Sequence, residues 1–295
     1  NSRRAIRILH VINRIGDGGA DRALTRLVNG LDPGRFAHTI LMTSGPCAGY
    51  EPLRSSVRLV CSPHPTASPA ELINALRASG DLSYDIIHGW VSFASVVASV
   101  VSAVLGRPLV LRQPTNMNEE IRYYRQYLTQ HLRELQCAFR MAESVIVPSP
   151  ALVDITRQFY GITKVKVIPN ASPSLPVATS GQKEPGGPLV LAFVGRLIPQ
   201  KDPMVLLEAL SRLRGLLDWQ LLLFGEGELC EALKTYASEQ GFAHRIEFRG
   251  FQGDWLTCAN LIDLFVLPTR FEGMCNTLLE AAAAGLPILT TDIPE

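Results

Sequence analysis

Three kinds of site find little to build on in this sequence. The six cysteines, at 47, 61, 137, 230, 258 and 275, form no CxxC pair and no Cys/His ligand spacing. That argues against a disulfide framework or a zinc centre and makes a reducing cytoplasm the expected compartment. An excess of charge is also missing: 28 Lys+Arg stand against 27 Asp+Glu, a net of +1, so no whole-chain field points to nucleic acid. Long apolar runs are absent as well. The most apolar stretch, VSFASVVASVVSAVLG at 91–106, is too short to span a bilayer and is studded with serine, which makes it a buried helix. The opening NSRRAIRILHV carries no initiator Met and no apolar segment long enough for a signal peptide. Neither the G-K-[ST] of a Walker A loop nor a complete GxGxxG occurs, which weakens a reading as a nucleoside triphosphatase or a dehydrogenase.

What is present suits two domains. The length of 295 residues is long for one domain, and 47% hydrophobic composition allows each half a core. The near-zero net charge hides an asymmetry: residues 1–175 carry 19 basic and 12 acidic side chains, net +7, and residues 176–295 carry 9 and 15, net −6. A basic half suits an anionic acceptor or a membrane surface; scattered solvated arginines are the plainer reading.

Apolar runs alternate with helical periods throughout. Strands are expected at AIRILHVI (5–12), AHTILMTS (37–44), YDIIHGW (84–90), RPLVLRQP (107–114), SVIVPS (144–149) and KVKVIPN (164–170). Between the last three, NEEIRYYRQYLTQHLRELQCAFRMA reads as one long helix and PALVDITRQFYG as a shorter one. The Pro-, Ser- and Gly-rich segment 171–188 then reads as a linker. After it the pattern restarts with LVLAFVGRL (189–197), followed by WQLLLFGEGE, RIEFRGF, DLFVLPT and PILTTD as strands, with helices and a short helix, DWLTCANL, between them. This is α/β architecture: a first domain over 1–174, a linker over 175–188 and a second domain over 189–295. Each is a Rossmann-like unit with a parallel sheet, and two on one linker are expected to face across a cleft. The last strand has no helix after it, so the chain is expected to be a fragment.

Four stretches carry candidate chemistry. In FVGRLIPQKD a strand delivers Arg196 and Lys201, a planar fork and a point charge suited to a diphosphate, or simply two solvated loop cations. In LFGEGE, Gly225 and Gly227 allow close backbone approach by a base or ribose, although such turns are common. In GDGGAD (16–21) a glycine loop opens a helix whose N-terminus can meet an anion, or is only a tight turn. His88 ends a buried strand, where active-site residues of such sheets sit; a core histidine is the alternative. The stretch RFEGMCNTLLEAAAAGLP is the strongest. Glu272 stands before a helix starting near Asn276 or Thr277, and Glu280 one turn inside it, a helix stopped by Gly285 and Pro287. The two acids can accept hydrogen bonds from two sugars while the helix start holds phosphates; as helix-dipole or solvated acids they would contribute only a few tenths of a kcal/mol each.

In this order, GDGGADR, FVGRLIPQKD, LFGEGE, RGF and above all PTRFEGMCNTLLEAAAAGLPILTTD make the chain resemble retaining glycosyltransferases of the GT-B fold, specifically glycosyltransferase family 4 (glycosyl transferases group 1). The last stretch is the family's E-x7-E signature, and the resemblance covers essentially the whole chain. It implies that Arg196 and Lys201 bind the donor diphosphate, that Glu280 takes the nucleotide ribose, and that Glu272 takes the donor hexose and is the catalytic-site acid. Gly273, Met274, Cys275, Asn276 and Thr277 would lie near sugar and phosphate, Gly225, Gly227 and Phe251 about the base, and Gly18 and Gly19 against the diphosphate from the other domain. His88 is the second catalytic candidate, although in some relatives the functional histidine falls where this chain has Trp90. The family extends further at its C-terminal end, in keeping with a fragment.

The implied reaction moves a sugar from a nucleotide-diphosphate sugar (UDP or GDP) to an acceptor hydroxyl with retention of configuration, in cell-envelope polysaccharide or glycolipid synthesis. The implied acceptor is a glycan or a lipid-linked glycan. No DxD motif occurs, so no metal and no cofactor are expected, and nucleic acid is not an expected partner. The implied place is the cytoplasm, with peripheral membrane contact through the basic half. Two alternatives remain: a sugar-nucleotide epimerase or phosphorylase on the same fold, and a non-catalytic sugar-nucleotide-binding remnant.

Overall fold

The computed structural model describes residues 4–16, 18–44, 52–128, 131–172 and 186–294. The chain divides between Ala171 and Ser172 into two compact units. Residues 175–185 of the expected linker lie outside the described residues, as does Asp17 of the glycine loop.

The first unit is a seven-stranded sheet in the order β3-β2-β1-β4-β5-β6-β7, and every described pairing in it is parallel. Its strands are β1 (Ile6–Ile12), β2 (Phe36–Met42), β3 (Arg58–Cys61), β4 (Ile86–Trp90), β5 (Leu109–Arg112), β6 (Ser144–Val147) and β7 (Val165–Val167). The helices are α1 (Gly19–Gly30), α2 (Pro69–Ala78), α3 (Ser92–Leu105), α4 (Met117–Leu128), α5 (Leu132–Met141) and α6 (Leu152–Tyr160). Alternate residues of β1 feed different cores. Leu9 and Val11 join the cluster that holds Val97, Val101, Phe139 and Tyr160 of α3, α5 and α6. Ile12 joins Leu24 and Val28 of α1. Helices on both faces are why these strands read as nearly continuous apolar runs.

The second unit is a five-stranded parallel sheet in the order β10-β9-β8-β11-β12. It comprises β8 (Leu189–Val194), β9 (Trp219–Phe224), β10 (Ile246–Gly250), β11 (Leu264–Leu267) and β12 (Ile288–Thr290), with α7 (Pro203–Arg212), α8 (Cys230–Glu239) and α9 (Asn276–Ala283). Phe193, Trp219, Leu221, Leu223 and Phe265, all fully buried, centre its core. Among the described residues no helix is long and apolar enough to cross a membrane.

Two local readings need correction. RLVC adds a strand, β3, between the expected strands at 37–44 and 84–90; it is four residues long and its Leu59 is exposed, as suits a strand at a sheet edge. The long helix is two helices. Tyr124 leaves helical geometry (φ −124°, ψ 30°) inside α4, and α5 begins afresh after His131 (φ −119°, ψ 17°). The turn lets Leu135, Ala138 and Phe139 bury in the same core as α3 and α6. The short helix expected at DWLTCANL is present as a 3-10 helix, Trp255–Leu261.

Candidate functional site

In an open parallel sheet, ligands bind beyond the strand C-termini where the strand order reverses. In the second unit that point lies between the neighbours β8 and β11. The loop after β8 holds Arg196 and Lys201, and the loop after β11 holds Glu272. The two loops are laced together. Gln200 Nε2 donates to the Phe271 carbonyl at 2.9 Å, the Arg270 N–H donates to the Gln200 carbonyl at 2.8 Å, and Arg270 pairs with Asp202 at 2.6 Å. Asp202 itself caps α7 from a left-handed backbone conformation, φ 46° and ψ 50°, which a short polar side chain tolerates.

Within this lacing Lys201 Nζ forms an ion pair with Glu272 Oε1, each side chain only 12% exposed. Thr269 Oγ1 donates to the same Glu272 oxygen at 2.9 Å, and Cys275 Sγ lies 3.6 Å from the ammonium. Burial alone would lower the Lys201 pKa, but Cys275 and Glu272 outweigh it, so Lys201 titrates above an ordinary lysine. An ammonium has three N–H donors. Glu272 and Cys275 take two of these directions. Arg196 is exposed.

Helix α9 begins at Asn276, within the expected start, with Cys275 as its cap residue, whose side chain makes no capping hydrogen bond. Cys275 Sγ lies 3.2 Å from Thr277 Oγ1, and Gly273, Cys275 and Asn276 are buried while Met274 and Thr277 are half-buried. The backbone N–H groups of that turn have no carbonyl four residues back, so they suit an anion. Glu280, one turn along, is 1% exposed and accepts a hydrogen bond from Trp255 Nε1 at 2.8 Å. Phe251 is 39% exposed beyond β10.

Gly225 and Gly227 are explained first by the chain itself. Their φ values are +138° and +156°, and a Cβ would fall 1.9 Å from the Gly195 carbonyl oxygen and 2.4 Å from that of Leu197. The close backbone approach that needs glycine here is thus that of the Arg196 loop, sealed by Leu197 N–H to Glu226 O at 2.8 Å and Leu229 N–H to Leu197 O at 3.0 Å.

In the first unit, β1 and β4 flank the reversal. Gly18 caps α1 and Gly19 opens it, but Asp21 reaches back and accepts from the N–H groups of Gly16 and Gly18, each at 3.1 Å. Part of the loop's anion-binding capacity is therefore filled by its own carboxylate. His88 lies opposite His10 on β1, its ring tilted against those of His10 and Trp90, with centroids 5.3 and 4.7 Å away. Trp90 Nε1 donates to His10 Nδ1 at 3.4 Å, which leaves His10 Nε2 protonated to donate to His38 Nδ1 at 3.0 Å. Burial, then the nearby Arg112, lowers the His88 pKa to about 3. His88 is 7% exposed, neutral, and its Nε2 has no partner among the described residues. It can offer a neutral hydrogen-bonding nitrogen, not an acid near neutral pH. The turn that follows is strained: Val91 has φ 60° and ψ 171°, a conformation a β-branched residue rarely adopts.

Sequence reasoning missed Thr269, Gln200 and Trp255. The buried Trp255 was the findable one, since an indole N–H inside a core needs an acceptor. Among the described residues no group of three or more His, Cys, Asp or Glu side chains is placed to hold a metal ion.

Two successive parallel α/β units of this topology are the GT-B glycosyltransferase build. The structure of HepE from Anabaena in complex with UDP-glucose superposes with a TM-score of 0.74 at 19% identity, covering 97% of this chain and 80% of that one. The chain belongs to Glycosyltransferase Family 4, whose model matches residues 17–172, while the model described as Glycosyl transferases group 1 matches residues 188–295. Among curated relatives, the lipopolysaccharide core biosynthesis glycosyltransferase LpsE of Rhizobium meliloti is 27% identical over 156 residues, 52% of this chain and 45% of its own length. The UDP-Gal:alpha-D-GlcNAc-diphosphoundecaprenol alpha-1,3-galactosyltransferase of Escherichia coli is 25% identical over 241 residues, 75% of this chain and 61% of its own length. The chain thus spans about half to three fifths of these two relatives.

Proposed function

We propose that this protein transfers a sugar from a nucleotide-diphosphate sugar to an acceptor hydroxyl with retention of configuration. The observation that carries the reading is the cluster at the reversal of the second sheet: a cation and a carboxylate held by two laced loops, beside a helix start and a second buried carboxylate. Lys201, Arg196 and the first N–H groups of α9 meet the diphosphate. Negative charge grows on that group as the glycosidic bond breaks, so fixed donors there stabilise the transition state more than the ground state. Glu272 accepts hydroxyls of the transferred hexose, and Thr269 and Lys201 fix its rotation. Glu280 accepts the ribose hydroxyls. The leaving phosphate takes the acceptor's proton on the same face of the sugar, which explains a donor site built of cations rather than of two flanking acids. Gly18, Gly19 and His88 belong to the first unit, and His88 acts there as a neutral hydrogen-bonding group.

The relatives' printed activities favour an envelope glycan or lipid-linked acceptor. The test is a panel of UDP-, GDP- and ADP-sugars assayed for binding by calorimetry and for nucleotide release. One donor is expected to bind, and Glu280→Ala and Arg196→Ala are each expected to weaken it about tenfold, on the scale of one charge-assisted hydrogen bond. Unchanged affinity in both variants, or no binding of any donor, would overturn the assignment.

A further inference from the structure

The hydrogen bond between Trp255 and Glu280 joins residues 25 apart in sequence and is buried at both ends. The indole is 0% exposed. Its ring lies against Phe224 of β9 and Phe265 of β11, with centroids 6.4 and 5.6 Å away, so two strands fix its plane before the N–H is aimed. A carboxylate at 1% exposure must be met by donors, and the orientation of its two oxygens follows from where those donors stand. Oε2 accepts the indole N–H at 2.8 Å. A glutamate reaching from the first turns of a helix has several rotatable bonds, and the indole removes that freedom before a ligand arrives.

We propose that Trp255 is a positioning residue for the donor nucleotide. It holds the Glu280 carboxylate in the orientation that receives the ribose hydroxyls, and discrimination for a ribose over a deoxyribose depends on the indole N–H. The inference rests on the reading of Glu280 as the ribose acceptor. It assigns to an apolar core residue a part in recognition that its burial alone would hide. Trp255 touches neither sugar nor phosphate and works only through Glu280.

The test compares Trp255→Phe, which keeps an aromatic ring and removes the N–H, with the unsubstituted protein. The ligands are UDP or GDP, whichever binds more tightly, and its 2′,3′-dideoxy form, titrated calorimetrically. The variant is expected to lose about tenfold in affinity for the ribonucleotide, the scale of one hydrogen bond to a charged group, and less than about twofold for the dideoxy form. In a Glu280→Ala background the substitution at 255 is expected to add nothing. Equal losses for both nucleotides would show Trp255 to be structural only, and no loss for either would remove it from recognition; both overturn the proposal. If the unsubstituted protein binds ribo- and dideoxynucleotide equally, the ribose reading of Glu280 itself falls, and the proposal with it. Should Trp255→Phe fail to fold, 3-benzothienylalanine at 255, with sulfur in place of the N–H on the same ring shape, is measured instead.

Discussion

At the scale of single residues, Lys201 does two things that a substitution separates. It neutralises a carboxylate that is itself 12% exposed, and it directs a donor toward the proposed phosphate position. Removing one member of such a buried pair strands the other, so Lys201→Ala is expected to cost about 3–5 kcal/mol of stability, read from urea unfolding. The double change Lys201→Met with Glu272→Gln is expected to recover most of that stability while leaving donor binding weak. Recovery of both would mean that the pair is structural alone. Lys201 and Glu272 were legible in the sequence because charge at a strand end stands out. Thr269 and Gln200, which fix them, were not: they are neutral, and the partners of Gln200 lie 69 to 71 positions away, a separation no local spacing encodes.

Whole strands were the most legible elements, because a parallel strand buried on both faces reads as an apolar run such as LVLAFV. The same signal failed for β3, with four residues at an edge, and for the α4–α5 break, whose charged surface gave no punctuation. The turns after β8 and β9 show another limit. GEG is readable as a glycine turn, but not that its second face is the Gly195 and Leu197 backbone. Gly225→Ala combines a positive φ with a Cβ 1.9 Å from a carbonyl oxygen, and is expected to destabilise by more than about 3 kcal/mol. Gly215→Ala is the control: its φ is +79° with nothing within 4 Å of the added carbon. Only backbone strain of about 1–2 kcal/mol is expected there. Chemical denaturation of the two variants separates collision from strain, and equal losses would refute the interlock.

At the scale of the molecule the histidines are unevenly placed. The sequence has six, and the buried row His10, His38 and His88 lies wholly in the first unit. All three have pKa values pushed below the ordinary 6.5, chiefly by burial, and that of His88 falls to about 3. Their folded forms stay neutral while the unfolded chain takes up protons. Stability is therefore whole above pH 6.5 and falls as pH drops toward 3, by about 1.4 kcal/mol per pH unit for each fully shifted histidine. Protection factors from hydrogen exchange, which remove the intrinsic slowing of exchange at lower pH, are expected to fall between pH 7 and pH 5 in β1, β2 and β4 with little change in β8 and β9. An equal fall in protection across both sheets would contradict it. His88 was visible in sequence as a strand-end residue, but its neutrality was not, since that follows from its burial and from the nearby Arg112 guanidinium.

Arg196 and Lys201 differ in exposure, and on the proposed reading that difference becomes a sequence in time. A cation at the rim acts mainly on encounter, and a buried one mainly on residence. An arriving diphosphate meets the exposed guanidinium first and is captured at a rate that salt can tune. Its release then waits on the enclosed ammonium, which salt scarcely reaches. Two cations five positions apart in one loop thereby set the two rate constants of donor exchange separately.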